Sequence, residues 1–414
     1  MINGIRLEGK KESSLLSWAI KRSNLPAKVR IFLEEGQKPC VAPGDKVRTG
    51  QKIAEPLLPE SVALHASLSG EVKMISEFPH PTGSSARAIE IISDGRDEKA
   101  PSVGAERLGW EKLSSQELRE IFRDSGLVDL NMKMQSVHSV ILGEFKTLIL
   151  NGCESEPYLT SDHALMMSHP VETLKGAEIL RKACGAARVV ITLEENKREI
   201  MELFKSKIFF LKWKHFEVKE FPSFYPQGSA EILHQEFIAD GPSCLLNVAT
   251  AFSAYEAVVF QKPVYERAVT IGGECVIEPK NFWVRVGTDI ETLIKNAKGF
   301  LREPKKLLMG GPMTGHAQTS WEIPILKGTQ AVLGLPEEVV KRGEPEACIR
   351  CGRCIEACPT GISPVMITLA AEREFWEMSE DYGVKLCIEC GNCAYVCPAK
   401  RPMMEWIRAA KESL

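Results

Sequence analysis

Two cysteine runs near the C-terminus constrain this chain more than any other feature. The first is Cys348-Ile349-Arg350-Cys351-Gly352-Arg353-Cys354-Ile355-Glu356-Ala357-Cys358-Pro359 and the second is Cys387-Ile388-Glu389-Cys390-Gly391-Asn392-Cys393-Ala394-Tyr395-Val396-Cys397-Pro398. Each has the spacing C-x₂-C-x₂-C-x₃-C-P. Three cysteines so spaced let one tight loop wrap three corners of an iron–sulfur cube, while the fourth reaches the other cube. The spacing assigns Cys348, Cys351, Cys354 and Cys397 to one [4Fe–4S] cluster. Cys387, Cys390, Cys393 and Cys358 take the second. Gly352 and Gly391 let the backbone approach the sulfides, and Pro359 and Pro398 end the loops. Zinc also accepts four thiolates, but zinc sites usually pair two C-x₂-C halves across a spacer, so two full proline-closed runs favour iron–sulfur. A tail of this kind handles single electrons.

The other five of the thirteen cysteines, Cys40, Cys153, Cys184, Cys244 and Cys275, are scattered singly and are expected to be small buried hydrophobes without disulfides. Clustered cysteines read as metal ligands in a reducing compartment. The chain has 414 residues, is 44% hydrophobic and carries a formal net charge of −3, so it can bury real cores and has no basic footprint for nucleic acid. It contains no uninterrupted apolar stretch of about 18 residues, and Met1-Ile2-Asn3-Gly4-Ile5 lacks the order of a secretory signal. The expectation is a cytoplasmic chain that can sit peripherally on a membrane complex.

Residues 1 to about 100 read as short strands and turns. Val41–Ile53 and Leu64–Val72 look like the two halves of a lipoyl-type barrel-sandwich hybrid, without a lysine at a hairpin tip to carry a swinging arm. Asp94–Gly109 suits a linker. Strands and helices then alternate: a helix at Glu117–Asp124 opened by Ser114 or Ser115, a strand at Lys146–Leu150, a helix at Val171–Cys184 started by Pro170, a strand at Val189–Leu193 and a helix at Lys197–Phe204. Such alternation indicates an α/β domain with a largely parallel sheet. Ile208–Phe216 interleaves aromatic residues and lysines and reads as a strand with its lysines on the wet side, rather than a partner or membrane contact. Val269–Ile271 and Trp283–Val286 read as strands, Asp289–Asn296 as a helix, Leu307–Gly315 as a strand entering a glycine turn, and Glu337–Glu346 as a polar linker.

Further motifs follow one another in a specific order. They are Asn151-Gly152-Cys153-Glu154-Ser155-Glu156-Pro157-Tyr158-Leu159-Thr160-Ser161-Asp162-His163, then Tyr225-Pro226-Gln227-Gly228, Asn247-Val248-Ala249-Thr250-Ala251, Gly310-Gly311-Pro312-Met313-Thr314-Gly315, and finally Cys397-Pro398-Ala399-Lys400-Arg401-Pro402-Met403-Met404. In this order they resemble the C subunit of the Rnf electron-transport complex over nearly the whole chain. The resemblance implies an α+β multidomain protein. Its parts are a barrel-sandwich hybrid (1–105), an α/β domain like the flavin subunit of respiratory complex I (106–262), a soluble-ligand-binding β-grasp domain (263–336) and a two-cluster ferredoxin domain (337–414). It also implies FMN in the α/β domain and NADH as hydride donor. Asn151, Glu154, Ser155 and Glu156 match the family's flavin-side acidic loop, and Asn247 and Thr250 its second flavin contact. Read without the family, Asn151 and Glu156 would cap a turn and the helix starting near Ser161.

The resemblance departs at one place. Where the family carries a run like G-G-A-G-F-P, this chain has Gly126-Leu127-Val128-Asp129-Leu130-Asn131-Met132-Lys133-Met134-Gln135-Ser136. Glycines there would bring backbone N–H groups to a phosphate. Asp129 instead adds like charge, which Lys133 could partly offset.

The implied function is that of a peripheral electron-transfer subunit on the cytoplasmic face of the cell membrane. Its implied partners are the ferredoxin-like B subunit, the membrane subunits of the complex and ferredoxin. Two other readings share parts of this pattern. One is a soluble relative, such as a cobalamin reductase of a bacterial microcompartment or the electron-transfer protein of proline reductase. The other is an adaptor whose clusters are structural. Arg350, Arg353 and Lys400 lie beside the clusters, where they either tune potentials and dock an acidic partner or form solvated surface.

Overall fold

Short alternating strands at the N-terminus close into two facing sheets. The computed structural model describes residues 4–15, 19–131, 133–340 and 343–414; Met1–Asn3, Met132, Lys341 and Arg342, which belong to stretches read above, lie outside the described residues. One N-terminal sheet runs Lys28–Phe32, Ser85–Ser93, Gly70–Pro79, Lys46–Val47, and the other Gln37–Pro39, Lys52–Pro56, Leu64–His65. Their inward residues, Val29, Ile31, Ile53, Leu68, Val72, Ile89 and Ile91 among them, share one apolar core. This is the two-layer solution available to sheets that bury one face each.

The α/β region forms a four-stranded parallel sheet in the order Phe216–Phe221, Arg188–Glu194, Thr147–Asn151, Ser243–Asn247. The Ser115–Asp124 helix opens with a capping box in which the Ser114 hydroxyl accepts from Glu117 N–H and the Glu117 carboxylate accepts from Ser114 N–H. Pro170 occupies the first turn of the Pro170–Cys184 helix, where its missing N–H costs nothing. That helix packs on the Val248–Val259 helix so closely that a Cβ at Gly176 would overlap the carbonyl of Ala251.

Two sequence readings are corrected here. Ile208–Leu211 ends the Arg198–Leu211 helix and is not a strand. Ile200, Met201, Phe204, Ile208 and Leu211 continue one core-facing helical stripe. The left-handed Lys212 then terminates the helix, and the next strand begins only at Phe216. Phe209 and Phe210 fall on the opposite face and are 86% and 83% exposed. Cys40 is exposed on the sandwich, beyond the edge strand Gln37–Pro39, whereas Cys153, Cys184, Cys244 and Cys275 are buried as expected.

The third sheet runs Lys21–Arg22, Lys280–Arg285, Glu266–Gly272, Ala331–Leu335, Lys306–Met309, His316–Gln318. Its central pair, Glu266–Gly272 and Ala331–Leu335, is parallel, and the Ile290–Asn296 helix closes its core through Ile290, Leu293 and Ile294. This is the β-grasp arrangement. The cysteine runs pack on the helices Pro364–Ala371 and Met403–Glu412 around Ile367, Ala371, Met403 and Ile407.

Gly176→Ala should lower stability by about 1–3 kcal/mol, because the helix pair must part to admit the methyl group. Chemical denaturation checks this; an unchanged midpoint would show that the two helices can shift apart without loss.

Candidate functional site

The two cysteine runs fold alike. Arg350 (φ 56°) and Gly352 (φ 78°) take left-handed conformations in the first, and Glu389 (φ 54°) and Gly391 (φ 78°) take them in the second. These turns fold the backbone over the thiols, so that the N–H of Arg350 donates to Cys348 Sγ and that of Glu389 to Cys387 Sγ, each at 3.4 Å. A short helix follows each turn, Arg353–Glu356 in one and Asn392–Tyr395 in the other.

Some thiols of one run lie near thiols of the other. Burial pushes the Cys390 thiol up to about 12, and the neighbouring Cys387 and Cys358 push the same way. Cys393 is raised by burial and by Cys387, Cys390 and Cys358. Cys354 is raised by burial and then by Cys397 and Cys351. Cys358 is thus near Cys390 and Cys393, and Cys397 is near Cys354. Eight free thiols in two repeated loops, with Cys354, Cys387, Cys390 and Cys393 hard to ionise in their buried positions, are a donor chemistry that a cationic iron–sulfur core relieves, so the residue types present fit such a core.

The two runs face different surroundings. Tyr225 Oη donates to Cys390 O at 2.8 Å, and Asn392 Nδ2 donates to Ala357 O at 3.1 Å and to Tyr225 O at 3.4 Å. A Cβ at Gly391 would press on Met313 O at 3.2 Å. The second run is thereby seated between the α/β domain and the Gly310–Gly315 turn. The first run faces outward, with Ile349 65% exposed and Cys351, Arg350 and Arg353 exposed.

The residues matched to the flavin side divide. Asn151 and Asn247 end adjacent parallel strands and stand opposite each other in register. This is the strand end at which open α/β sheets take ligands. Asn247 caps the Val248–Val259 helix through its side chain on Ala249 N–H, and its Nδ2 donates to Asp162 Oδ2 at 2.8 Å. Asn151 makes a local turn with Cys153 N–H and donates to Gly228 O. Glu154, rather than Asn151 or Glu156, caps the helix starting at Ser161, accepting from Asp162 N–H at 3.0 Å and His163 N–H at 3.4 Å. Glu156 points elsewhere: it accepts from Met313 N–H at 2.8 Å and from the Thr314 hydroxyl, and a Cβ at Gly311 would overlap its carboxylate. Ser155 is half-buried beside it.

Sequence reasoning missed how the space above these strand ends is filled. Asp129 is buried and accepts from Asn247 N–H at 2.9 Å, from Thr250 Oγ1 at 2.6 Å and from Asn131 Nδ2. Thr250 Oγ1 accepts in turn from Leu130 N–H at 2.8 Å. Lys133 does not offset Asp129; it pairs with Glu231 on the surface at 3.0 Å. The positive field comes instead from Arg267, itself buried and pulled down to about 10 by desolvation. Burial and the adjacent Glu154 raise Asp162. Lys327 Nζ donates to Gly126 O at 2.6 Å and Arg267 reaches Leu130 O at 3.5 Å, so Arg267 of the mixed sheet and Lys327 of the loop before Ala331–Leu335 hold the stretch from Gly126 to Leu130. Asn151, Glu154, Asn247 and Thr250 are all buried, Thr250 completely. FMN does not fit these residues, because its anion would meet Asp129.

Fold and thiol geometry define an iron–sulfur electron carrier built on a flavin-domain scaffold. Family models match in the same order: an RnfC barrel-sandwich hybrid domain over residues 1–96, a Nuo51 FMN-binding domain over 128–241 and a 4Fe–4S dicluster domain over 340–398. The chain is 36% identical to the C subunit of the proton-translocating ferredoxin:NAD(+) oxidoreductase complex of Clostridium ljungdahlii, covering 92% of this chain and 86% of that one. It is 34% identical to the C subunit of the Na(+)-translocating ferredoxin:NAD(+) oxidoreductase complex of Acetobacterium woodii, covering 91% and 87%. The C subunit of the ion-translocating oxidoreductase complex of Rhodobacter capsulatus is 33% identical, with 95% and 79% covered. Among solved structures, a chain of the NAD+-reducing [NiFe]-hydrogenase in the air-oxidized state shares the fold, with a TM-score of 0.50, 14% identity, and 71% of this chain and 63% of that chain covered. The chain belongs to the family of C subunits of Rnf-type ion-translocating oxidoreductases. Among the described residues no helix is long and apolar enough to cross a membrane.

Burial pulls the Lys327 amine from its ordinary 10.5 down to about 8. Between those values the unfolded chain holds a proton that the folded chain has released, so this group makes stability rise with pH from about 8 to about 10.5. Replacing it with an apolar side chain, Lys327→Met, should abolish that rise. Urea denaturation of both proteins across this range checks the sign; parallel pH profiles would show that Lys327 does not titrate there.

Proposed function

We propose that this chain is the electron-transfer C subunit of an Rnf-type ion-translocating ferredoxin:NAD oxidoreductase, seated peripherally on the cytoplasmic face of the cell membrane. The observation that carries the reading is the pair of like-folded cysteine runs, with Cys358 near Cys390 and Cys393 and Cys397 near Cys354, on a family scaffold. Cys348, Cys351, Cys354 and Cys397 hold one cluster, and Cys387, Cys390, Cys393 and Cys358 hold the other. When bound, the pair supplies one-electron chemistry. The protein sets the surroundings of each loop. Tyr225, Asn392 and Met313 seat the second run against the α/β and β-grasp domains. The first run presents Ile349, Arg350 and Arg353 to solvent, as a docking face needs. Its partner is an acidic one-electron carrier: the ferredoxin-like B subunit beside the membrane subunits, or ferredoxin itself. Similarity along most of the length of the three relatives favours this reading over a soluble relative or a structural adaptor.

Crossed ligation is tested by single substitutions. Cys358→Ala should remove the same paramagnetic signal as Cys390→Ala, although Cys358 belongs to the first run, and iron should fall from about eight to about four atoms per chain. If Cys358→Ala removed the signal lost in Cys351→Ala, each run would hold its own cluster and the assignment would fall. Charge reversal at Arg350 and Arg353 together should slow reduction by an acidic ferredoxin about tenfold or more at low ionic strength, with the difference shrinking as salt rises. Stopped-flow mixing reads both effects; equal rates at low salt would remove the docking role of these arginines.

A further inference from the structure

We infer that the α/β domain of this chain is a flavin-free module in which the Asp129 carboxylate occupies the place where the fold would hold a ligand's phosphate. The place is defined by the backbone. It lies at the carboxyl ends of the adjacent parallel strands Thr147–Asn151 and Ser243–Asn247, over the first turn of the twelve-residue Val248–Val259 helix. Open parallel sheets take anionic ligands at such strand ends, and helix N-termini favour negative charge. Here an anionic group is already present and belongs to the chain.

Two observations hold the carboxylate there. The donors are consumed: Asn247 N–H and the Thr250 hydroxyl are both spent on Asp129, and Asn131 Nδ2 adds a third bond from the same loop. The loop is also anchored. Leu127, Val128 and Leu130 are buried in the core beneath it, and Asp129 N–H donates to Gln135 O at 2.7 Å. Arg267 of the mixed sheet and Lys327 of the loop before Ala331–Leu335 hold it, and a Cβ at Gly328 would crowd Asn131 O and Met134, so that loop approaches without a gap. The neighbouring polar groups are partly bonded to one another, while Ser161 Oγ, Asp162 Oδ1 and Gln227 Nε2 stay buried without a hydrogen-bond partner among the described residues. Asn247 is bonded to Asp162, Asn151 to Gly228, and Glu154 to the helix it caps. A phosphate entering here would displace a bonded carboxylate and then lie beside it.

The consequence rests on the cluster reading proposed above. A chain without flavin has no group that takes a hydride and divides it into single electrons. Its donor and its acceptor are therefore both one-electron redox proteins, and a nicotinamide does not reduce it directly.

The test uses the full chain, reconstituted anaerobically with iron and sulfide, incubated with excess FMN and desalted. The expected result is full iron content, no flavin fluorescence above a trace after acid release, and cluster absorbance that dithionite bleaches and NADH does not. Stoichiometric flavin, or bleaching by NADH, overturns the inference. Low iron with no flavin would count against the cluster reading and leave the flavin result standing, so the two failures are distinguishable. Asp129→Ser provides a second measurement: removing the carboxylate should let inorganic phosphate raise the melting temperature of the variant and not of the wild type. An equal response of the two proteins, or none in the variant, would show that Asp129 does not stand in an anion site.

Discussion

Buried charge in this chain is compensated across domain boundaries, and much of the architecture follows from that. A buried ion is tolerable only when opposite charge and hydrogen bonds surround it. Arg267 belongs to the mixed sheet, yet the carboxylates in its field are Asp162, Glu154 and Asp129 of the α/β domain. Lys11, from the N-terminal segment, reaches Glu154 O, and Lys197 pairs with Glu194, which in turn accepts from Glu154 N–H. Thr160, Thr270 and Asn281 add a buried hydroxyl–amide cluster along the same seam. Removing the mixed sheet would take Arg267 from Asp162, Glu154 and Asp129, so that sheet and the α/β domain are held in one arrangement.

What the sequence alone revealed depended on how far apart the interacting residues lie. The cysteine loops were legible because each turn is closed within a few residues by left-handed backbone at Gly352 and Gly391. The capping box at Ser114 and Glu117 and the proline start at Pro170 were legible for the same reason. Asp129 was visible only as a break in a pattern. Its meaning depends on Asn247 and Thr250, 118 and 121 positions away, which no local spacing announces. Arg267 and Lys327 gave no signal, since a lone basic residue in a strand or loop ordinarily faces water.

Two errors show where local pattern misleads. Ile208–Phe216 interleaves aromatic residues with lysines, which suggests a strand with a wet side, but the helical stripe from Ile200 onward fits better and includes Ile208 and Leu211. The acidic loop was treated as one contact surface, whereas the chain turns within it. Glu154 caps a helix inside the α/β domain, and Glu156, two residues on, bonds the Met313–Thr314 turn of another domain. Identity of 33–36% over most of the chain preserves the scaffold and the order of motifs. It does not preserve every site mounted on it, because fold and site vary separately.

The cysteine runs repeat each other in sequence but not in environment. The second is packed beneath Tyr225 and Met313, while the first lies open to solvent with two arginines beside it. On these terms the twin loops are not two equal rungs. One is a seated loop, with Lys411 on Cys387 O and Arg408 on Glu389, and the other is an open loop flanked by Arg350 and Arg353; the difference comes from docking a repeated motif onto an asymmetric neighbour.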